Sequence, residues 1–181
     1  MAKLYLTALW FSDREDCDAG NSGTTPRPDA EDGKRHAMIS QRAKYALRAL
    51  SVLARAPAGE PVQISDIAEQ QAIPKKFLEQ ILLELKRSGI VVSRRGKQGG
   101  YLLLKPAGEV TYGEILRLID GPIAPLPCLS ITAYRKCEDC NGEADCEIRR
   151  VFAHVADATR RILFEATLAD GVSVEEKVEA G

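Results

Sequence analysis

The chain has 181 residues, 45% of them hydrophobic and 28% charged, a balance that fits a folded domain rather than a disordered polyelectrolyte. It contains no apolar run of about 18 residues, so it offers no membrane-spanning helix and no membrane partner is expected. The net charge of −1 conceals a division: residues 38–105 carry twelve Lys/Arg against five Asp/Glu (+7), residues 106–181 eight against fourteen (−6), and residues 1–37 five against seven (−2). A basic block beside an acidic one points to one half that meets a polyanion. An unevenly charged, solvated surface would give the same tally, so charge alone does not decide.

Residues 1–37 read as a disordered leader, rich in Asp, Gly, Pro, Ser and Thr beyond residue 11. The apolar run Leu4 to Phe11 is short and lacks a small-residue cleavage site, so it is no export signal and a cytoplasmic location is expected. A clear amphipathic pattern begins at Met38. The first helix is expected from Ser40 to Ala56, with Tyr45, Leu47, Leu50, Val52, Leu53 and Ala54 on its apolar face, ended by Pro57 and Gly59. Val62 to Ile64 reads as extended, and Ser65 as the cap of a brief helix over 66–71. A tight turn at Ala72-Ile73 leads to Pro74 in the first turn of the next helix, Lys75 to Ser88. Phe77, Leu78, Ile81, Leu82 and Leu85 recur there at helical spacing, and Gly89 stops it.

Two strands, Ile90 to Ser93 and Tyr101 to Leu104, flank a tip made mobile by Gly96, Gly99 and Gly100. Thr111 and Glu114 form a capping box for a further helix, which Gly121-Pro122 closes. Residues 122–146 form an irregular, cysteine-rich loop. One long helix follows from Glu147 to Leu168, lined by Val151, Phe152, Val155, Ile162, Leu163 and Ala166. About 20 helical residues span about 30 Å, too long an apolar stripe for so small a domain, so packing against a second copy is the expected use and folding back on its own domain the alternative. Residues 169–181 read as a flexible acidic tail.

Helix, short helix, tight turn, helix, two-stranded wing is the order of a winged helix-turn-helix. The expected fold is therefore mainly α with a small β-wing: residues 38–121 as the DNA-binding domain, 122–146 as a cofactor loop, and 147–168 as a long C-terminal dimerisation helix. The second helix of such a pair presents its N-terminal residues to base edges in the major groove. Here Lys75 and Lys76 reach phosphate or guanine, and Gln80 can bond adenine in two places. A solvated helix face with Phe77 in the core is the plainer reading. The wing weighs against it, because Arg94, Arg95 and Lys97 put three cations on a glycine-rich tip. The tip is not a nucleotide-binding P-loop, since no Gly-Lys-Ser/Thr follows and no helix opens after it. An enzyme is poorly supported: there is no nucleophile–base set, and His36 and His154 are the only histidines.

Taken in order, Met38-Ile-Ser-Gln-Arg-Ala-Lys-Tyr-Ala-Leu-Arg-Ala-Leu, Ile67-Ala, Ile73-Pro-Lys-Lys-Phe-Leu-Glu-Gln-Ile-Leu, Leu85-Lys-Arg-Ser-Gly-Ile-Val, Arg94-Arg-Gly-Lys-Gln-Gly-Gly-Tyr and Ile119-Asp-Gly-Pro-Ile-Ala-Pro resemble the Rrf2 family of transcription regulators, which includes cluster-sensing and nitric-oxide-sensing members. The resemblance covers residues 38–168. It implies a homodimeric winged-helix regulator, expected to act as a repressor, on a double-stranded DNA operator. By the same resemblance Lys75, Lys76, Phe77, Glu79, Gln80 and Arg95 correspond to the DNA surface, with Arg94, Lys97, Gln98 and Tyr101 beside them in the wing run.

Four of the five cysteines, Cys128, Cys137, Cys140 and Cys146, fall within 19 residues; Cys17 stands apart in the leader. Clustered thiols in a chain with no export signal point to metal or redox chemistry before structural disulfides. Thiolates are soft ligands that suit iron–sulfur clusters or zinc. Many members of the family hold a 2Fe-2S or 4Fe-4S cluster on three cysteines of a comparable loop, spaced five and five. Only Cys140 to Cys146 keeps that gap here. The histidine that some members place three residues after the last cysteine is replaced by Arg149. Cys128 is then the first choice for a fourth ligand, a partner-subunit residue the second, and His154 is more simply a surface or dimer-face histidine. The remaining readings are a structural zinc site, as in a winged-helix protein-binding or assembly factor, a thiol–disulfide switch, and spare thiols.

Overall fold

A computed structural model of the chain describes residues 39–172 except Lys97, Asp139 and Asn141. The leader, Met38, His36, Cys17, Lys97 and the end of the acidic tail lie outside the described residues. The elements run α1 (Gln41–Arg55), α2 (Ile64–Gln70), α3 (Lys75–Arg87), β1 (Val91–Arg94), β2 (Gly100–Leu103), α4 (Tyr112–Ile119) and α5 (Glu147–Glu165), with 3-10 turns at Ala107–Glu109 and Pro127–Leu129. This is a mainly helical winged helix-turn-helix followed by one long helix.

Ser40 caps α1 by accepting the Ala43 amide at 3.0 Å, and its own amide donates to the Asp120 carboxylate at 2.9 Å. The cap thus ties the start of α1 to the end of α4. Ala43, Ala46, Ala49, Leu50 and Leu53 form the buried stripe of α1. They meet Ile67 of α2 and Leu78, Ile81, Leu82 and Leu85 of α3, all fully buried. Small residues at 43, 46 and 49 let α3 and α4 approach α1 closely. Emptying such a core at one leucine costs about 2–5 kcal/mol.

Helix α2 begins two residues earlier than its sequence suggests. Gln63 is its N-cap and makes no side-chain cap bond; the Ser65 hydroxyl reaches Asp66 instead. Pro74 likewise stands at the N-cap of α3 rather than inside its first turn. Between the two helices the chain closes with Ala72 amide to Glu69 carbonyl at 3.2 Å and Ile73 amide to Ala68 carbonyl at 2.9 Å. That closure needs a left-handed residue, and Ala72 takes it at φ 49°. The end of α3 repeats the motif with Gly89 (φ 75°), whose amide bonds Lys86 while Ile90 bonds Leu85.

Strands β1 and β2 pair antiparallel, Val91 opposite Leu103 and Arg94 opposite Gly100. A third segment joins them. The Val62 amide donates to the Tyr101 carbonyl and the Tyr101 amide to the Val62 carbonyl, each at 2.8 Å. Gly100 makes this approach possible, because a Cβ there would lie 2.3 Å from the Val62 carbonyl oxygen. A Cβ on Gly99 would lie 2.4 Å from the Arg94 carbonyl oxygen. These two glycines are required by close backbone approach, a role their number in the sequence did not reveal.

The long helix is shorter than its periodicity implies. It stops at Glu165, and residues 166–172 return to the winged-helix core. The Tyr112 amide donates to the Ala166 carbonyl at 3.0 Å and the Leu168 amide to the Val110 carbonyl at 2.9 Å. Leu168 is buried in the main core. Thr167 then caps a new helical turn, its amide and hydroxyl both donating to the Asp170 carboxylate at 2.8 and 2.7 Å. These bonds hold the Asp170 carboxyl below its ordinary pKa. The start of the predicted flexible tail is therefore structured.

Candidate nucleic-acid interface and cysteine loop

Lys75, Lys76, Phe77, Glu79 and Gln80 all stand exposed in the first two turns of α3, while Leu78 between them is buried. The helical period divides them: Leu78, Ile81, Leu82 and Leu85 hold the core and leave the others outside. Phe77 is not a core residue. Its ring meets Tyr45 of α1 edge to face, centroids 5.8 Å apart. The first turn of α3 has two lysines and no acidic residue. Cations at a helix N-terminus oppose the helix dipole, at about 0.3–1 kcal/mol each, unless an anion lies there. An approaching phosphate relieves that repulsion. Arg42 of α1 pairs with Glu84 of α3, and the Arg48 Nε donates to Gln71 at the end of α2 at 3.0 Å, so α1 braces both helices.

The wing residues divide into two groups. Arg95 and Gln98 are exposed at the tip, across an open cleft from Glu60, Gln63 and Asp66. Arg94, exposed too, is engaged: its Nη1 donates to the Gly59 carbonyl at 2.8 Å. It pins the wing to the turn after α1. Tyr101 is half-buried against the core and its backbone pairs with Val62, which gives it a packing place behind the tip. Lys86 Nζ donates to Ser93 Oγ at 2.6 Å, a further tie between α3 and β1.

The cysteine loop brings its four thiols into one chain of contacts. Cys128 is buried in the Pro127–Leu129 turn; Cys137, Cys140 and Cys146 are half-buried, and all four are free thiols. Cys137 stands near enough to both Cys128 and Cys140 to act on their ionisation, and the Sγ atoms of Cys140 and Cys146 lie 4.0 Å apart. Cys146 is the N-cap of α5, and its sulfur accepts the Arg149 amide at 3.4 Å. Burial, then the nearby Cys137, pushes the Cys128 thiol up. The bond to Cys146, then burial, pushes Cys140 up to about 11. Crowded thiols resist ionisation together, and a bound cation reverses that by displacing their protons.

The donor set is soft sulfur throughout, which fits an iron–sulfur cluster or zinc. Among the described residues no three donors of the His, Cys, Asp or Glu type surround a single ion position. A string of thiols suits a cluster, whose ligands spread over several irons, better than one ion that needs four donors about one point. His154 stands exposed on α5.

Sequence reasoning missed the place of Arg149. Its guanidinium reaches the Cys128 carbonyl at 3.5 Å and Glu143 at 3.2 Å, and Glu143 also accepts from the Tyr134 hydroxyl. It also missed Phe164, which packs where a Gly113 Cβ would stand and lies 5.4 Å under the Arg117 guanidinium, docking the end of α5 on α4. A glycine inside an amphipathic helix was the one available signal. Among the described residues no helix is long and apolar enough to cross a membrane.

Comparison with known proteins agrees with this architecture. Residues 39–173 match the Rrf2 family model, described as an iron-dependent transcriptional regulator. An Rrf2-like HTH-type transcriptional regulator of Rhodobacter capsulatus is 47% identical over 147 residues, covering 80% of this chain and 94% of that protein. Among solved structures, the global cysteine regulator CymR of B. subtilis superposes with a TM-score of 0.64 at 30% identity, over 75% of this chain and 96% of its own. IscR of T. potens gives 0.60 at 26% identity, over 77% and 89%. These relatives are transcription regulators rather than enzymes, and the chain, with its helix-turn-helix, wing and long α5, belongs to the Rrf2 family of DNA-binding transcriptional regulators.

Proposed function

We propose that this regulator is a cytoplasmic homodimer that represses from a pseudo-palindromic operator and senses iron, oxidation or nitric oxide through an iron–sulfur cluster, 2Fe-2S or 4Fe-4S, on Cys128, Cys137, Cys140 and Cys146. The observation that carries this reading is the string of four thiols at the junction of the winged helix and α5. When bound, such a cluster supplies a centre that reacts with oxidants and nitric oxide. The chain's own residues do the rest. The loop ends in Cys146, the cap of α5, so a change in the loop acts on the helix from its first turn. Phe164 and Leu168 join the far end of α5 to α4 and the core. A displaced α5 therefore moves the reading head.

Dimerisation is supported by α5 itself. Ile148, Val151, Phe152, Val155 and Ile162 follow helical spacing and are exposed in the single chain, while only Ala156 is buried. A second copy is the occupant that the family pattern supplies. In a two-fold dimer the two α3 helices reach half-sites about 34 Å apart, so a small rotation of α5 changes the fit. Lys75, Lys76, Phe77, Glu79 and Gln80 are then the groove contacts, and Arg95, Lys97 and Gln98 the wing contacts. Arg94 and Tyr101 support the wing. Zinc is the alternative occupant, favoured by the 4.0 Å approach of Cys140 and Cys146, which suits two thiolates on one ion.

The test is gel-shift titration on a duplex selected by the protein from a randomised pool. With six or more phosphate contacts, raising salt from about 50 to 200 mM is expected to weaken binding by about 10³-fold. Arg95→Ala is expected to weaken binding on all sequences alike and to lower the salt slope by about one. A flat salt response contradicts DNA binding, and unchanged affinity for Arg95→Ala contradicts the wing assignment.

A further inference from the structure

Helix α5 grips the Pro127–Leu129 turn at two consecutive carbonyl groups. Arg149 Nη1 donates to the Cys128 carbonyl at 3.5 Å, and Arg160 Nη1 to the Leu129 carbonyl at 3.2 Å. Eleven residues are just over three full helical turns, so both arginines project from the same face, about 16 Å apart along the axis. Their long side chains converge on one turn from either end. Each guanidinium is fixed on its other side: Arg149 Nη2 by Glu143 at 3.2 Å, and Arg160 Nη2 by Asp157. Tyr134 in turn donates to Glu143, so the loop is laced to Arg149 at a second point. The planar guanidinium, with five fixed donors, suits such double engagement better than an ammonium.

What the grip holds is Cys128. It is the one loop cysteine outside the 137–146 run, and the only one fully buried, with 4% of its surface exposed. Its thiol stands near enough to Cys137 to be acted on by it, while its carbonyl accepts from Arg149 at 3.5 Å. We propose that Arg149 and Arg160 are positioning residues which hold Cys128 beside Cys137, so that α5 delivers the fourth thiol to the loop. The role of that thiol as a ligand rests on the function proposed above; the clamp itself does not. Loss of the fourth thiol and displacement of α5 are then one event.

The test uses the full chain purified without oxygen, as wild type, Arg149→Ala, Arg149→Lys, Arg160→Ala, the double alanine variant and Cys128→Ala. After chelator treatment, alkylation of each cysteine by iodoacetamide is followed by peptide mass spectrometry. Cys128 is expected to be protected in the wild type and to react about tenfold faster in the double variant, with Cys146 unchanged and Arg149→Lys restoring part of the protection. Unchanged labelling of Cys128 overturns the clamp, as does an equal rise at all four thiols, which marks general loosening. In parallel the metal content, absorption spectrum and midpoint potential of the untreated proteins are compared. The double variant is expected to move toward Cys128→Ala in all three. A Cys128→Ala spectrum identical to wild type overturns delivery of a ligand. A wild type without metal overturns delivery too and defeats the proposed function, while the labelling still decides the clamp.

Discussion

Gly100→Val is expected to lower operator affinity at least about tenfold while leaving the dimer intact. The added Cβ would lie 2.3 Å from the Val62 carbonyl oxygen and 2.6 Å from its carbon, contacts that backbone cannot absorb. Either β2 moves away or the segment after α1 does, and both reciprocal bonds between Val62 and Tyr101 are lost. Two such bonds at about 0.5–1.5 kcal/mol each, with the strain of the forced contact, put the cost to wing docking at about 2–4 kcal/mol. The helical core of α1 to α4 does not depend on that pairing, so the protein remains folded with a lower melting temperature. Gly108→Ala is the control, since nothing lies within 4 Å of a Cβ there, and its stability is expected to stay within about 0.5 kcal/mol of wild type. Calorimetry and gel-shift titration on the same preparations check both. Wild-type affinity for Gly100→Val would mean that the wing does not touch DNA.

The helix-turn-helix was legible because its core obeys one period. Leu78, Ile81, Leu82 and Leu85 are apolar at helical spacing and all four are buried. The box at Thr111 and Glu114 was equally plain, since both partners belong to one short string. The third wing segment was not legible. It is a single residue pair, Val62 with Tyr101, and one pair makes no alternating pattern. The end of α5 was hidden by its own neighbours: Ile162, Leu163 and Ala166 continue the apolar stripe, although Thr167 and Asp170 already spell a helix start. Phe77 reads as core by spacing, yet it lies at the edge of the stripe, against Tyr45.

The cysteine loop shows the limit of spacing most clearly. Four thiols in 19 residues announced a cluster of donors, and the fold sets them in succession, with Cys137 near Cys128 and Cys140, and Cys140 4.0 Å from Cys146. Arg149 looked like the loss of a ligand. Its partners are a backbone carbonyl and Glu143, and a carbonyl leaves no trace in sequence. Arg94 looked like a free cation of the wing and is instead held by the Gly59 carbonyl for the same reason.

Val151→Glu is expected to weaken self-association about 100-fold or more. Val151 is 63% exposed in the single chain and stands in the middle of the unpartnered stripe, one turn from Ile148 and Val155. A carboxylate forced into an apolar interface without a partner costs several kcal/mol, and each 1.4 kcal/mol is about tenfold in the association constant. The folded monomer tolerates the change because the site already faces solvent. Operator affinity should fall with the dimer, since a single reading head keeps half the phosphate contacts. Sedimentation at several concentrations, with circular dichroism to confirm the fold, checks this. A variant that remains dimeric would place the interface on another face.

The most direct test of the whole reading takes one preparation of the full chain, purified without oxygen, through two measurements. Iron and acid-labile sulfide are counted per chain, and affinity for the selected duplex is measured before and after removal of the cofactor by chelation. The predicted result is a coloured protein with iron and sulfide in equal amounts, whose operator affinity changes at least about tenfold when they are removed. Colourless protein with stoichiometric zinc, or an affinity that does not change when the iron is removed, would contradict it.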